Sequence, residues 1–160
     1  MELFCFASRN EKNIWLGVEH QMWAVATLLN IGAMAARGTK AEKYLYPGAL
    51  GLLYCNPKHA FTTPFIVRSK ADQTRVVIDI WPEPWRLPFK IEPLGDPSRM
   101  VAAKDAKERW PIVKDRLSPK GGVSAAMNIT GTTVFVPVTI TPEDWAIICH
   151  DLARKESANP

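Results

Sequence analysis

Ile80-Trp81-Pro82-Glu83-Pro84-Trp85-Arg86-Leu87-Pro88-Phe89-Lys90-Ile91 is the stretch from which the fold is read. Its three prolines exclude a helix, because each fixes φ and removes a backbone donor. The two indoles are therefore expected on a stiff, irregular loop rather than on one helical face. Beyond it, Phe89-Lys90-Ile91-Glu92 alternates apolar and charged, the pattern of a strand that buries one face. A loop that carries two large aromatics either closes a core or walls a pocket. Trp23, in Met22-Trp23-Ala24-Val25, offers a further wall. Three indoles around a slot suit a planar base removed from its stack.

Working outward, Arg75-Val76-Val77-Ile78-Asp79-Ile80 reads as a strand, and Ala60 to Ser69 as another with an edge or bulge at Pro64. Ala49 to Cys55 reads as a buried strand between the turn Pro47-Gly48 and Asn56-Pro57. Glu2 to Ala7 opens the chain as a β-favouring run punctuated by Ser8-Arg9-Asn10, and Glu11 to His20 is weakly helical or irregular. Thr27 to Lys43 predicts a short helix or ordered loop, and Val101 to Arg109 a helix stopped before Pro111. Ser118-Pro119-Lys120-Gly121-Gly122 is a loop, and the β-branched run Thr132 to Val138 predicts a strand. Thr141-Pro142-Glu143-Asp144 announces a last helix to about Arg154, with an N-cap Thr, Pro at the first helical position and acids in the first turn. One domain over 1–155 is expected, with a frayed tail at 156–160.

A chain of 160 residues, 47% apolar and 22% charged, is long and apolar enough to bury a continuous core. The net charge of +4 permits a nucleic-acid partner, although the basic residues form no block. Cys5, Cys55 and Cys149 form no CxxC pair and read as reduced thiols of a cytoplasmic protein. Met1 to Phe6 lacks a basic start and a cleavage site, and no apolar run reaches membrane-spanning length. Neither a leader nor a membrane partner is expected. Cys55 and His59 supply two potential ligands where zinc needs at least three. Gly121-Gly122 continues as Val123-Ser124, without the lysine of a phosphate loop. No catalytic site, metal or cofactor is expected.

In their order along the chain these residues resemble the EVE domain, a relative of YTH domains within the PUA-like superfamily. The resemblance is carried by the opening strand ending in Ser8 and by Gly17-Val18-Glu19-His20-Gln21-Met22-Trp23. Leu50 to Cys55, the Trp-Pro loop with its strand, and the closing Thr-Pro-Glu-Asp-Trp element complete it. Ser8, Asn13 and Trp23 are spaced as in YTH domains, where a serine and an asparagine approach the base and a tryptophan lines its cage. Arg9 and Ala24 stand where those domains more often have small polar residues.

The resemblance implies an α+β fold, a PUA-like mixed β-barrel of five to six strands with flanking helices. It also implies a non-catalytic binder that flips a modified nucleobase of DNA or RNA into an aromatic cage. Base contacts are expected from Trp23, Trp81, Trp85, Ser8, Asn13 and Asp79, and phosphate contacts from Arg9, Lys12 and Arg86. Plainer readings stand beside these. The indoles also suit core plugs, Ser8 and Asn13 local backbone bonds, and Asp79 a surface ion pair with Arg75 or Arg86. On that view the chain is a small-molecule or protein-interaction module with a structural Trp loop. Trp110 and Trp145 read as core.

Overall fold

The computed structural model describes residues 1–118, 121–129 and 131–155. The loop expected at Ser118 to Gly122 is thus described only in part, and the expected tail at 156–160 lies outside the described residues. In chain order the elements are β1 (Glu2–Ser8), α1 (Glu11–His20), β2 (Met22–Ala26), α2 (Ile31–Tyr44), β3 (Leu50–Cys55), β4 (Ala60–Val67) and β5 (Val76–Val77). There follow β6 (Trp85–Pro93), β7 (Met100–Ala102), α3 (Ala103–Arg109), α4 (Pro111–Arg116), α5 (Val123–Ala126), β8 (Val138–Thr139) and α6 (Pro142–Leu152).

The strands pair in the order β2-β6-β4-β3-β1-β8, with β5 added to β6 and β7 to β4. Among the described residues only β1 and β3 run parallel, from Leu3 opposite Leu50 to Ser8 opposite Cys55. This is, among the described residues, a mixed α+β sheet of eight strands, two more than the upper expectation, the strands not expected being β2 and the three-residue β7. Among the described residues the path of pairings is open, with no pairing between its end strands β2 and β8.

Side chains alternate across a strand, and the central strands feed two cores in this way. Phe4 and Phe6 of β1 pack with Ile14 of α1 and Ala41 of α2, whereas Leu3 and Cys5 join Ala106, Val113, Ile148 and Leu152 of the later helices. A sheet covered on both faces needs continuous apolar strands, which is how Leu50 to Cys55 reads. Gly51 has a steric reason: a Cβ there would lie 2.0 Å from the Phe65 ring.

Three element readings are corrected. The strand expected over Arg75 to Ile80 is only Val76–Val77, and Ile78 is 75% exposed. Pairing stops because Pro82 and Pro84, in the return limb, have no N–H to offer. Trp85 is not on the loop: it heads β6, paired with Ala26 on one side and Val77 on the other. The register of β2 against β6 shifts between Trp23 and Val25, opposite a bulge at Leu87 (φ 58°) and Pro88. The strand expected over Thr132 to Val138 is a 3-10 turn (Gly131–Thr133) followed by Val138–Thr139 alone. Pro137 has no donor, and Phe135 sits at φ 69°, outside the strand region. Elsewhere the weakly patterned Glu11–His20 is a full helix. Asn10 Oδ1 accepts from the Asn13 N–H at its start, and Gln21 closes it in the left-handed region.

Candidate functional site

Trp23 from β2, Trp81 from the proline loop and Trp85 from β6 meet on the α1–α2 side of the sheet. Trp81 and Trp85 stack face to face, with centroids 4.2 Å apart at 12°. Trp23 stands edge-on to both, 5.8 Å from Trp81 and 5.2 Å from Trp85. Gly17 makes this possible: a Cβ on that turn of α1 would come within 2.8 Å of the Trp23 ring. The Trp81 indole N–H donates to the Asn13 backbone carbonyl at 3.0 Å, tying the loop to α1.

Beside this cluster opens a recess of about 240 Å³ whose lining includes Trp23, Trp85, Ser8, Asn13, Arg9 and Arg37. That is below the roughly 300–1,000 Å³ of sites for drug-sized ligands and suits a single ring system. Two buried polar atoms among its lining residues have no partner among the described residues: Asn13 Oδ1, an acceptor, and Trp85 Nε1, a donor. Native structures leave few such groups unpaired, and each costs about 1–3 kcal/mol. Asn13 and Trp85 are only 4% and 5% exposed. A ligand that enters the recess and satisfies both atoms recovers that cost.

The expected site residues divide into four groups. Trp23, Trp85, Ser8, Asn13 and Arg9 line one recess. The Ser8 hydroxyl is already engaged, donating to the Asn10 carbonyl at 2.6 Å, so Ser8 shapes the turn that leads into α1. Trp81 lies behind Trp85 and is not part of the lining. Asp79 and Lys12 are exposed, without a partner among the described residues, and outside the recess. Arg86 borders a different, wider groove of about 850 Å³ between α2 and β6, shared with Leu28, Ile31, Met34 and Leu87.

Charge at the recess comes from two arginines. Arg9 pairs with Glu83 at 3.3 Å across largely exposed side chains, a contact worth little in water. Arg37 of α2 was missed by sequence reasoning. It is half-buried, has no partner among the described residues, and burial pulls its guanidinium below the usual arginine value. An arginine so placed remains charged and free to take an anion. Only the path of α2 brings it here, and the sequence of that segment gave no sign of its direction.

No family model matches the chain, and no curated protein matches it. Solved structures do. The YTH domain of Zygosaccharomyces rouxii MRB1, in complex with N6-methyladenosine RNA, is 18% identical, with 71% of this chain and 70% of that chain covered and a TM-score of 0.52. The Pho92 YTH domain in complex with m6A is 17% identical, covering 74% and 72% at a TM-score of 0.52. The Mmi1 YTH domain is 11% identical but covers 94% and 93%, with a TM-score of 0.56. The chain therefore has a YTH-like α+β fold.

Proposed function

We propose that this chain is a non-catalytic reader that flips a modified base out of a nucleic-acid strand and into the Trp23–Trp85 recess. The observation that carries the reading is a base-sized recess, walled by two indoles, two of whose lining residues, Asn13 and Trp85, each keep a buried polar atom without a partner among the described residues. The fold supports it, since two YTH domains of like fold hold N6-methyladenosine RNA or m6A. A base stacked in a duplex cannot reach a recess, so it must be extruded or come from a single strand.

Stacking on an indole contributes about 1–3 kcal/mol per base. One added methyl contributes about 0.8 kcal/mol, so discrimination rests on shape and polar pairing more than on methyl burial. Arg9 and Arg37 at the recess, with Lys12 and Arg86 further out, supply phosphate contacts that are sequence-blind and weakened by salt. Within this reading the chain is EVE-like, its sheet is curved toward a PUA-like barrel, and it works in the cytoplasm. These parts rest on the order of sequence motifs and on the three free thiols.

The test is a binding panel of short single-stranded RNA and DNA, each carrying one modified base, beside unmodified twins. One modified probe is expected to bind at least about ten-fold tighter than its twin, the order of one stacking or hydrogen-bond contribution. Equal affinity across every pair rejects the reading. A second reading, a small-molecule or protein-interaction module, is favoured by the apolar groove beside α2, where Ile31 is largely exposed. It gains if no oligonucleotide binds.

A further inference from the structure

We infer that the Trp85 indole N–H is a specificity-determining donor, which reads a ring-nitrogen acceptor of the captured base. The inference rests on the base-reading function and adds the chemistry of the edge that is read. Trp85 lines the recess, and its Nε1 is buried with no acceptor among the described residues. The neighbouring Trp81 donates to Asn13 O and the distant Trp110 to Asp151, so both of those buried indoles have a partner where Trp85 has none among the described residues. An indole N–H can only donate, so whatever completes it must accept. Asn13 Oδ1 makes the reciprocal demand and must receive a donor.

A ligand that meets both atoms presents an N–H and an unprotonated ring nitrogen together. Adenine does so with its exocyclic amine beside N7 or N1, and cytosine with its amine beside N3. The aromatic geometry limits where a methyl can sit. Trp81 and Trp85 are already in ring contact at 4.2 Å and 12°, so nothing enters between them. The mark falls instead against Trp23, which stands at 77° to Trp85. A base whose amine carries two methyl groups has no N–H left for Asn13 and is rejected.

The experiment compares wild type with Trp85→Phe, which keeps an aromatic wall and deletes the donor. One set of single-stranded RNA probes carries N6-methyladenine, its 1-deaza and 7-deaza counterparts, or N6,N6-dimethyladenine. A second set carries 5-methylcytosine or its 3-deaza counterpart. In one set, a single deaza substitution is expected to weaken wild-type binding about ten-fold. Trp85→Phe should weaken the parent probe by a similar factor and bind that deaza probe no worse than wild type does. The indole proton resonance of Trp85 in wild type, which needs no variant to fold, should move downfield with the parent and not with the deaza probe. Deaza-insensitive binding with a static indole resonance overturns this inference alone. Failure of both parent probes to bind better than their unmodified twins overturns the base reading and this inference together.

Discussion

At the scale of single residues, Asn13 concentrates the argument. Its backbone is fixed from both sides, by Asn10 Oδ1 at 2.8 Å and by the Trp81 indole at 3.0 Å, while its side-chain carbonyl stays unpaired. A group held so firmly and left unsatisfied is a cost to the free protein. Asn13→Ala is therefore expected to leave the melting temperature unchanged or raise it, and to reduce preference for the modified base about ten-fold, the order of one hydrogen bond. A lower melting temperature with unchanged preference would mark Asn13 as structural. Trp81→Phe should behave in the opposite way. It strips the Asn13 backbone carbonyl of a buried donor, at about 1–3 kcal/mol of stability in urea unfolding. Ser8, Asn13 and Trp23 were singled out by the resemblance of their spacing to that of YTH domains, and all three line the recess. Arg37 was not singled out, since a cation in a helix carries no trace of what it will face after folding.

Among the elements, α6 was the most legible. Thr141 Oγ1 accepts from the Asp144 N–H at 3.1 Å, and the Asp144 carboxylate accepts from the Thr141 N–H at 2.9 Å. That capping box is written in four adjacent residues. Ile148 and Leu152 are fully buried beneath it, with Trp145 half-buried on the same core. Thr141→Ala should cost about 1 kcal/mol of stability. Its affinity for any oligonucleotide, measured well below the melting temperature, should match wild type, since α6 contributes nothing to the recess. A selective loss of affinity would move α6 into the site. The proline-rich stretch was legible only in part. Its prolines excluded a helix, but whether Trp85 ended the loop or began β6 depended on Val77 and Ala26 lying alongside. Local composition holds no information about such partners, and the same limit made a strand of Thr132 to Val138.

For the whole molecule, one sheet separates two cores, and the three indoles of the candidate site all belong to one of them. The other encloses Cys5, whose thiol is pushed up to about 12 by burial, with Arg116 opposing. The raised value means the unfolded chain loses this proton first, so stability falls as pH rises from about 9 toward 12. Between pH 8 and 10, wild type should lose about 1.4 kcal/mol more than Cys5→Ala in urea unfolding. Equal losses would mean that the thiol is not held neutral. On the other side of the sheet, the proposed reading assigns charge and selectivity to different parts. Arg9 is exposed and Arg37 half-buried in the lining of the recess, whereas the groups proposed to choose the base, on Asn13 and Trp85, are neutral and buried. Affinity and preference should therefore respond differently to salt. The direct measurement is the affinity of one strand bearing N6-methyladenine and of its unmodified twin, by fluorescence anisotropy from low to high salt. Both affinities are expected to fall steeply while their ratio stays constant and well above one. A ratio of one throughout, or a ratio that collapses with salt, would contradict recognition inside the Trp23–Trp85 recess.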